Sequence, residues 1–272
     1  MAATGCAVMA EALRFARHSA PAARLADRGL AYPAAADASF VALALAHAVP
    51  DCPDAQQALQ QATLPPRTIR AGTDLVREGD RADRLYVVVK GWAYRYLTAR
   101  DGARQISAVL VPGDVANIDT LAEGGCGSGI RAVTPLEVSA MTRDRAQALA
   151  ADHVGIARMF LLQALADHAV LSRWTLYNGR LPALERLACL ICELSLRCGG
   201  EQDNRSQFEM PLTQELLADV LGLTAVHVNR MMQRLRADAL IVTDGRMIHI
   251  PDVTQLRRRC DFDPQYLRHH TA

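Results

Sequence analysis

The chain has 272 residues, half of them hydrophobic, which is enough for two globular domains with separate cores. Its formal net charge is only +1, so the chain as a whole lacks the basic excess typical of proteins that neutralise many phosphates. Charged side chains interrupt the first twenty residues, so we expect no secretory signal peptide, and we expect no later stretch to be long enough to span a bilayer, which favours a cytoplasmic location.

The N-terminal part divides into an extension and a β-rich region. Residues 1–38 are rich in Ala and Arg and predict a loose extension. Within residues 39–150, short apolar strands alternate with turn signals from Thr68 to Met141, a rhythm that predicts an antiparallel roll or barrel. The turn signals are Gly72, Glu78-Gly79-Asp80, Lys90-Gly91, Asp101-Gly102 and Pro112-Gly113-Asp114.

Residues 151–178 predict one long helix. Its apolar positions follow a heptad-like 4-3-4-3 spacing with one acidic residue among them. This spacing favours pairing with a second copy of the chain, and the alternative is packing on the helix's own domain. The predicted seam consists of Phe160, Ala164, Asp167, Leu171 and Trp174.

Residues 179–272 contain the most informative segment, which runs from Leu212 to Arg236. It predicts two short helices joined by a tight turn at Gly222, with Thr213 and Thr224 capping them. This is the spacing of a helix-turn-helix, in which the second helix enters a DNA groove. The alternative is an ordinary helical hairpin in a core.

The second of these helices has a polar side suited to DNA. No acidic residue occurs from Thr224 to Arg236, and Arg, Asn and Gln can contact phosphates and base edges. The wider region is less basic, because residues 179–272 hold 12 Arg, no Lys and 12 acidic residues. The predicted DNA-binding residues are Thr213, Thr224, Ala225, Val226, His227, Asn229, Arg230, Gln233, Arg234 and Arg246.

A hairpin follows the second helix. Two apolar-rich strands, at Leu240–Thr243 and Arg246–Ile250, flank a turn signal at Asp244-Gly245. A hairpin in this place predicts the wing of a winged helix-turn-helix, with Arg246 positioned to contact the DNA backbone.

The order of roll, long helix and winged helix-turn-helix resembles the Crp/Fnr superfamily of bacterial transcription regulators, from about Phe40 to the C-terminus. The resemblance implies an α+β fold, with an N-terminal double-stranded β-helix (β-roll or jelly roll) as the effector domain, a long dimerisation helix and a C-terminal winged helix-turn-helix. It also implies a homodimer on a palindromic double-stranded DNA operator, a small-molecule or redox effector, and contact with RNA polymerase. No nucleophile elbow, HExxH motif or Walker loop occurs, so we predict no enzyme activity.

The effector region departs from the cyclic-nucleotide-binding members of that family. Asn117 and Ile118 stand where those members carry a Gly-Glu pair, and their phosphate-binding Arg falls at about Cys126, in a glycine-rich stretch. We therefore do not expect cyclic AMP as the ligand. The stretch is either a phosphate cradle or a loop in a domain whose ligand is different or absent. Candidate effector-pocket residues are Asn117, Cys126, Ser128 and Arg131.

The second helix departs from the family as well. Ala225 and Val226 occupy positions where the best-known members carry Arg and Glu, while the later Arg is kept as Arg230. Apolar side chains can contact a thymine methyl group, and Arg can bind guanine. We therefore expect an operator that differs from the best-known half-sites.

The seven cysteines favour reduced thiols, because the count is odd and no export signal occurs. Cys189, Cys192 and Cys198 share the spacing of three iron–sulfur ligands in oxygen-sensing family members, with Cys126 as a conceivable fourth. On a continuous helix Cys198 faces away from Cys189, so we predict no cluster, no metal and no other cofactor. A rival to the regulator is a ligand- or redox-sensing module that acts mainly through protein partners and binds DNA weakly.

Overall fold

The computed structural model describes residues 53–122, 127–199 and 201–270. The predicted N-terminal extension and Cys126 lie outside these ranges. The described chain has an α+β architecture in which a β-roll, a long helix and a helical C-terminal domain follow one another.

The β-roll begins with helix α1 (Pro53–Ala62) and continues as seven strands in two antiparallel sheets. The strands are β1 (Leu64–Ile69), β2 (Asp74–Val76), β3 (Arg84–Lys90), β4 (Ala93–Thr98), β5 (Arg104–Leu110), β6 (Gly129–Ala132) and β7 (Leu136–Thr142). The three-stranded sheet has the order β1-β7-β3, and the four-stranded sheet has the order β2-β6-β4-β5. A short 3₁₀-helix, Ile118–Leu121, lies between β5 and β6.

Two helices follow the roll, α2 (Arg143–Asp152) and α3 (Val154–Arg180). The hydroxyl of Thr142 caps α2 by accepting from the Arg145 backbone N–H at 3.4 Å. His153 has an extended backbone and separates the two helices. The first half of α3, with Ile156, packs with α1 and α2 on β3 and β7 of the roll.

The faces of α3 differ from the predicted seam. Phe160 and Trp174 are buried within their own chain, and Asp167 accepts from Arg95 Nη2 of the roll at 2.9 Å. The prediction that Phe160 and Trp174 meet a second copy is therefore wrong, whereas Leu171 of the predicted seam is exposed. The reason is that α3 is apolar on two sides, and periodicity alone does not say which side the protein's own core covers.

The length of α3 corrects a second expectation. Its 27 residues are apolar enough, by length and composition, to cross a membrane, although a third of its most apolar window is buried inside the protein. The prediction that no stretch of the chain is long enough to span a bilayer is therefore wrong for α3.

The C-terminal domain combines helices with a second antiparallel sheet. Its elements are α4 (Ala183–Leu194), β8 (Glu201–Gln202), β9 (Arg205–Glu209), α5 (Gln214–Leu221), α6 (Ala225–Ala237), β10 (Val242–Asp244), β11 (Met247–Ile250) and α7 (Val253–Cys260). A π-helical segment, Ser195–Gly199, extends α4, and the sheet has the order β10-β11-β9-β8. A C-terminal 3₁₀-helix, Pro264–His270, packs on α3.

One apolar core cluster joins the roll to the C-terminal domain. It includes Val170, Trp174 and Tyr177 of α3 together with the core of the C-terminal domain. Because the outer surface of the roll shares this cluster, the two parts are packed together. The roll contributes Trp92, Tyr94, Ile106, Val109 and Val111.

Candidate nucleic-acid interface

Helices α5 and α6 form a helix-turn-helix whose ends are set by local hydrogen bonds. Thr213 caps α5 by accepting from the Leu216 N–H, and Thr224 caps α6 by accepting from the His227 N–H, both at 3.3 Å. Between them Gly222 adopts the left-handed conformation with φ of 63°, where a side chain would be strained. The sequence-based prediction of both caps and of the turn is confirmed.

The apolar side of the two helices holds α6 in place. Leu217 and Val220 of α5 are buried with Val228, Met232 and Leu235 of α6. Val228 and Leu235 are fully buried, so rotation of α6 about its axis would expose them. The opposite side of α6 is therefore fixed as the side that faces solvent.

The exposed side of α6 carries one apolar and two polar side chains in a line. Val226, Arg230 and Gln233 are all exposed and follow each other at i, i+4 and i+7, which places them on one face. Val226 is 71 % exposed, a large value for an apolar side chain in a folded domain. An apolar tip beside a guanidinium and an amide matches the contacts available on base edges in a major groove.

The remaining polar residues of α6 are partly engaged within the protein. Arg234 Nε donates to the Asp238 carboxylate at 3.1 and 3.2 Å, and Arg236 donates to Thr243 Oγ1 at 3.4 Å. His227 and Asn229 are half-buried. Arg230 is thus the arginine of α6 for which the described residues provide no hydrogen-bond partner or ion pair.

The predicted wing is formed by β10 and β11, with one difference at its tip. Asp244 pairs with Met247, so Gly245 and Arg246 are the two central turn residues instead of Asp244 and Gly245. Gly245 has φ of 57°, which this tight turn requires. Arg246 is exposed at the tip, and its carbonyl oxygen accepts from the Met210 N–H at 2.9 Å, which ties the tip to the strand before α5.

Asn117, predicted as an effector ligand, is part of the internal structure of the roll. Its Oδ1 accepts from the Tyr86 N–H at 2.9 Å, and its Nδ2 donates to the Arg84 carbonyl at 2.8 Å and to Thr120 Oγ1 at 2.7 Å. The side chain is buried. Asn117 therefore holds the loop before β6 against β3.

Arg131 lies on the outer face of the roll, opposite its buried neighbours Ile130 and Ala132. Its Nε and Nη2 donate to the Asp74 carboxylate at 2.8 and 2.9 Å. These hydrogen bonds lower the pKa of Asp74. Asn117 and Arg131 thus both have partners within the roll, and their assignment to one effector pocket stays a prediction.

The structure says less about the other two candidate effector residues, Ser128 and Cys126. Ser128 is half-buried just before β6, and Cys126 lies outside the described residues. Their assignment stays a prediction.

Comparison with known protein families matches both the roll and the helix-turn-helix domain. The family model for the cyclic nucleotide-binding domain matches residues 66–153, and the model for the Crp-like helix-turn-helix domain matches residues 185–259. The chain belongs to the Crp/Fnr superfamily. It is 28 % identical over 195 residues to the transcriptional activator protein FnrL of Cereibacter sphaeroides, covering 70 % of this chain and 78 % of FnrL.

Two further Crp/Fnr proteins support the assignment. The nitrogen fixation regulation protein FixK of Rhizobium meliloti is 29 % identical over 197 residues, which cover 71 % of this chain and 86 % of FixK. The structure of FixK2 from Bradyrhizobium japonicum superimposes with a TM-score of 0.65 at 25 % identity, covering 71 % of this chain and 96 % of FixK2. The predicted family and fold class are confirmed.

Membership of the Crp/Fnr family also decides the class of function. The protein is a Crp/Fnr-type transcription regulator with a helix-turn-helix DNA-binding domain, and this family consists of regulators, not enzymes. Its members are soluble, bind DNA operators and are generally dimeric.

The cysteines that resemble iron–sulfur ligands of some Crp/Fnr proteins are arranged differently here. Cys189 and Cys192 are buried in α4 against Cys260 of α7, a residue that the spacing did not single out, while Cys198 is exposed. Hydrogen bonding to the Cys260 thiol and burial raise the pKa of Cys192, which favours a neutral thiol over a metal-binding thiolate. Among the described residues no group of three or more His, Cys, Asp or Glu is arranged to hold a metal ion.

Proposed function

We propose that the protein acts as a homodimer on a palindromic operator, with α6 of each copy in the major groove. The observation that carries this proposal is the exposed line of Val226, Arg230 and Gln233, on a helix without acidic residues. Two-fold symmetry would place the two α6 helices about one DNA turn apart.

The residues of the interface divide into base and phosphate contacts. We propose that Arg230 binds guanine through its bidentate fork, that Val226 contacts a thymine methyl group, and that Gln233 reaches adenine. The helix caps and the wing tip are suited to the sugar–phosphate backbone because they present hydroxyl, backbone N–H and guanidinium donors. The proposed backbone or neighbouring contacts are Thr213, Thr224, Ala225, His227, Asn229, Arg234 and Arg246.

Arg230→Ala is expected to weaken binding to the selected operator by about 1–3 kcal/mol and binding to random DNA much less, because a base contact carries sequence information. Arg258→Ala serves as the control, since Arg258 is an exposed arginine on α7, away from α6. Affinities would be measured by fluorescence anisotropy at one salt concentration. Equal losses on operator and random DNA would make Arg230 a phosphate contact.

The exposed face of α3 is the proposed dimer interface. Of the eight exposed large hydrophobic side chains in the described residues, five lie on α3. Four of them fall within about 60° of one another around the helix and Leu171 lies at the edge of that side, so together they form an apolar face along most of the helix. We call this face, Val154, Leu161, Leu165, Leu171 and Leu176, the α3 stripe.

We propose that each segment of the chain has its own role. Residues 39–150 serve as the effector domain, 151–178 as the dimerisation helix and 179–272 as the DNA-binding domain, with 1–38 as an extension. By analogy with the activator FnrL, the bound dimer would contact RNA polymerase beside the operator, in the cytoplasm.

We infer that the effector domain does not bind cyclic AMP. Asn117 replaces the glycine of the Gly-Glu pair and is engaged with the backbone of β3, and Ile118 packs in the apolar cluster beneath it. Neither side chain offers the carboxylate that would bind a ribose.

Cyclic AMP is accordingly expected to leave both the melting temperature and the operator affinity unchanged, because a ligand stabilises only a state that binds it. Differential scanning fluorimetry and anisotropy with millimolar nucleotide would test this. A melting temperature that rises with nucleotide concentration would contradict the inference.

A further inference from the structure

A buried ion pair connects the β-roll to the DNA-binding domain. Arg197, in the π-helical segment after α4, donates through Nη2 to Asp114 Oδ2 in the roll and to the Val109 carbonyl at 3.0 Å. Both charged side chains are only 5 % exposed. Burial raises the pKa of Asp114, and the Arg197 guanidinium acts against that effect. A contact of this kind separates only if both charges find new partners.

The ion pair is part of a larger network that reaches α3 and the C-terminus. Arg197 Nη1 donates to Glu193 Oε1 at 3.1 Å. Glu193 Oε2 accepts from Trp174 Nε1 of α3 and from the Tyr266 hydroxyl, both at 2.8 Å. We call these five residues the junction network, because they link the roll, α3, α4 and the C-terminal 3₁₀-helix.

A second polar contact joins the roll to the helix that supports α6. Arg104 of β5 donates to Asp219 Oδ2 of α5 at 2.8 and 2.6 Å. Gln105 Nε2 donates to the backbone carbonyls of Asp219 and Val220 at 2.8 and 3.1 Å. The helix-turn-helix is thus tied to the roll directly through α5, and α4 of the same domain is tied to the roll through the junction network.

The geometry of an arginine fork makes the junction specific. A guanidinium that donates to Asp114, Glu193 and a backbone carbonyl satisfies all three acceptors in one orientation. These contacts with the roll therefore restrict how the DNA-binding domain, and α6 within it, is oriented relative to α3. Since α3 carries the proposed dimer stripe, that orientation decides the distance between the two α6 helices.

We propose that Asp114 and Arg197 are positioning residues for operator recognition: their ion pair sets the spacing of the two recognition helices. The inference rests on the proposed homodimer. It assigns the ion pair a role in the choice of half-site spacing, while the contact of each α6 with its own half-site is independent of it.

The test uses Asp114→Asn, which removes the charge and keeps an oxygen that accepts from the Val111 N–H. Asp74→Asn is the matched control, since the Asp74–Arg131 pair has similar hydrogen bonds but lies entirely within the roll. Three DNA duplexes are compared with each full-length dimer: the selected palindrome, a palindrome with its half-sites moved by one base pair, and a single half-site. Dimerisation is checked by size-exclusion chromatography with light scattering.

We expect Asp114→Asn to lose about tenfold or more in affinity for the selected palindrome and to discriminate less against the shifted one. Binding to the single half-site remains unchanged. Asp74→Asn behaves like the unaltered protein on all three duplexes. If Asp114→Asn does not fold, Arg197→Lys, which keeps the charge without the fork, is measured in its place with the same expectation.

Two results would overturn the inference. One is an Asp114→Asn dimer that retains the full preference for the selected spacing. The other is an equal loss on palindrome and half-site, which would assign the ion pair to the stability of the domain alone. Failure of the unaltered protein to prefer any sequence would instead contradict the proposed function.

Discussion

Leu165→Glu is expected to convert the dimer into a monomer and to abolish tight operator binding. Leu165 lies near the middle of the α3 stripe and is 48 % exposed in a single chain. Fully burying a leucine contributes about 1.5–3 kcal/mol, and Leu165 has about half of its surface left to bury, so the two symmetry-related copies together should lose about 1.5–3 kcal/mol. This loss alone raises the dimer dissociation constant by about one to two orders of magnitude. A glutamate in the same place also brings two like charges together.

Loss of dimerisation should be visible in DNA binding as well. Two linked half-site contacts typically gain about 10²–10⁴ in affinity over one. Leu97→Glu is the matched control, because Leu97 is 45 % exposed at the end of β4, away from α3. Analytical ultracentrifugation and operator titration should separate the two variants. A Leu165→Glu protein that remains dimeric at micromolar concentration would place the dimer interface elsewhere.

Glu193→Ala is expected to destabilise the DNA-binding domain strongly. Glu193 is completely buried and accepts from Arg197, Trp174 and Tyr266. Removing it leaves a buried guanidinium with one carboxylate fewer and two buried donors without an acceptor. Breaking a buried ion pair from one side costs about 3–5 kcal/mol.

Glu185→Ala provides the comparison on the same helix. Glu185 accepts from Arg259 at 3.0 Å, but both side chains are partly exposed. Such a pair contributes about 0–1 kcal/mol. Urea unfolding followed by far-UV circular dichroism would give both free energies of unfolding, and similar values for the two variants would show that the junction network does not stabilise the fold.

Local features of the fold were predictable because their causes lie within a few residues. The caps at Thr213 and Thr224 and the left-handed Gly222 depend on side-chain hydroxyls and on the absence of a Cβ atom. The exposed side of α6 follows from the spacing of Val228 and Leu235. The helix-turn-helix could therefore be predicted from the sequence, and so could the order of the roll, the long helix and the DNA-binding domain.

Features that depend on distant contacts were not predictable in this way. The heptad-like spacing places Asp167 in a dimer seam, but in the structure Asp167 pairs with Arg95, which is 72 residues away in the sequence. Asp114 looked like an ordinary turn residue, although Arg197 is its partner 83 residues later. Charge and spacing alone give no signal for either pair, because tertiary packing brings them together.

One missed element did have a local signal. Strands β8 and β9 form a hairpin whose turn residues, Asp203 and Asn204, both have positive φ, of 50° and 60°. Asp and Asn are favoured at such positions, so an Asp-Asn pair between polar residues predicts a tight hairpin. The hairpin is hard to predict because its strands have a weak apolar pattern, in which only Ser206 and Phe208 of β9 are buried.

The central claim, sequence-specific binding of a palindrome by a dimer, is tested most directly by selecting bound fragments from random DNA. The affinity of the selected site is then measured over a range of salt concentrations. We predict two inverted half-sites centred about 10 base pairs apart, with a guanine lost from the consensus when Arg230→Ala is selected in parallel, and an affinity that falls steeply with salt. Weak binding without a consensus sequence would contradict this account and would favour a sensing module that acts through protein partners.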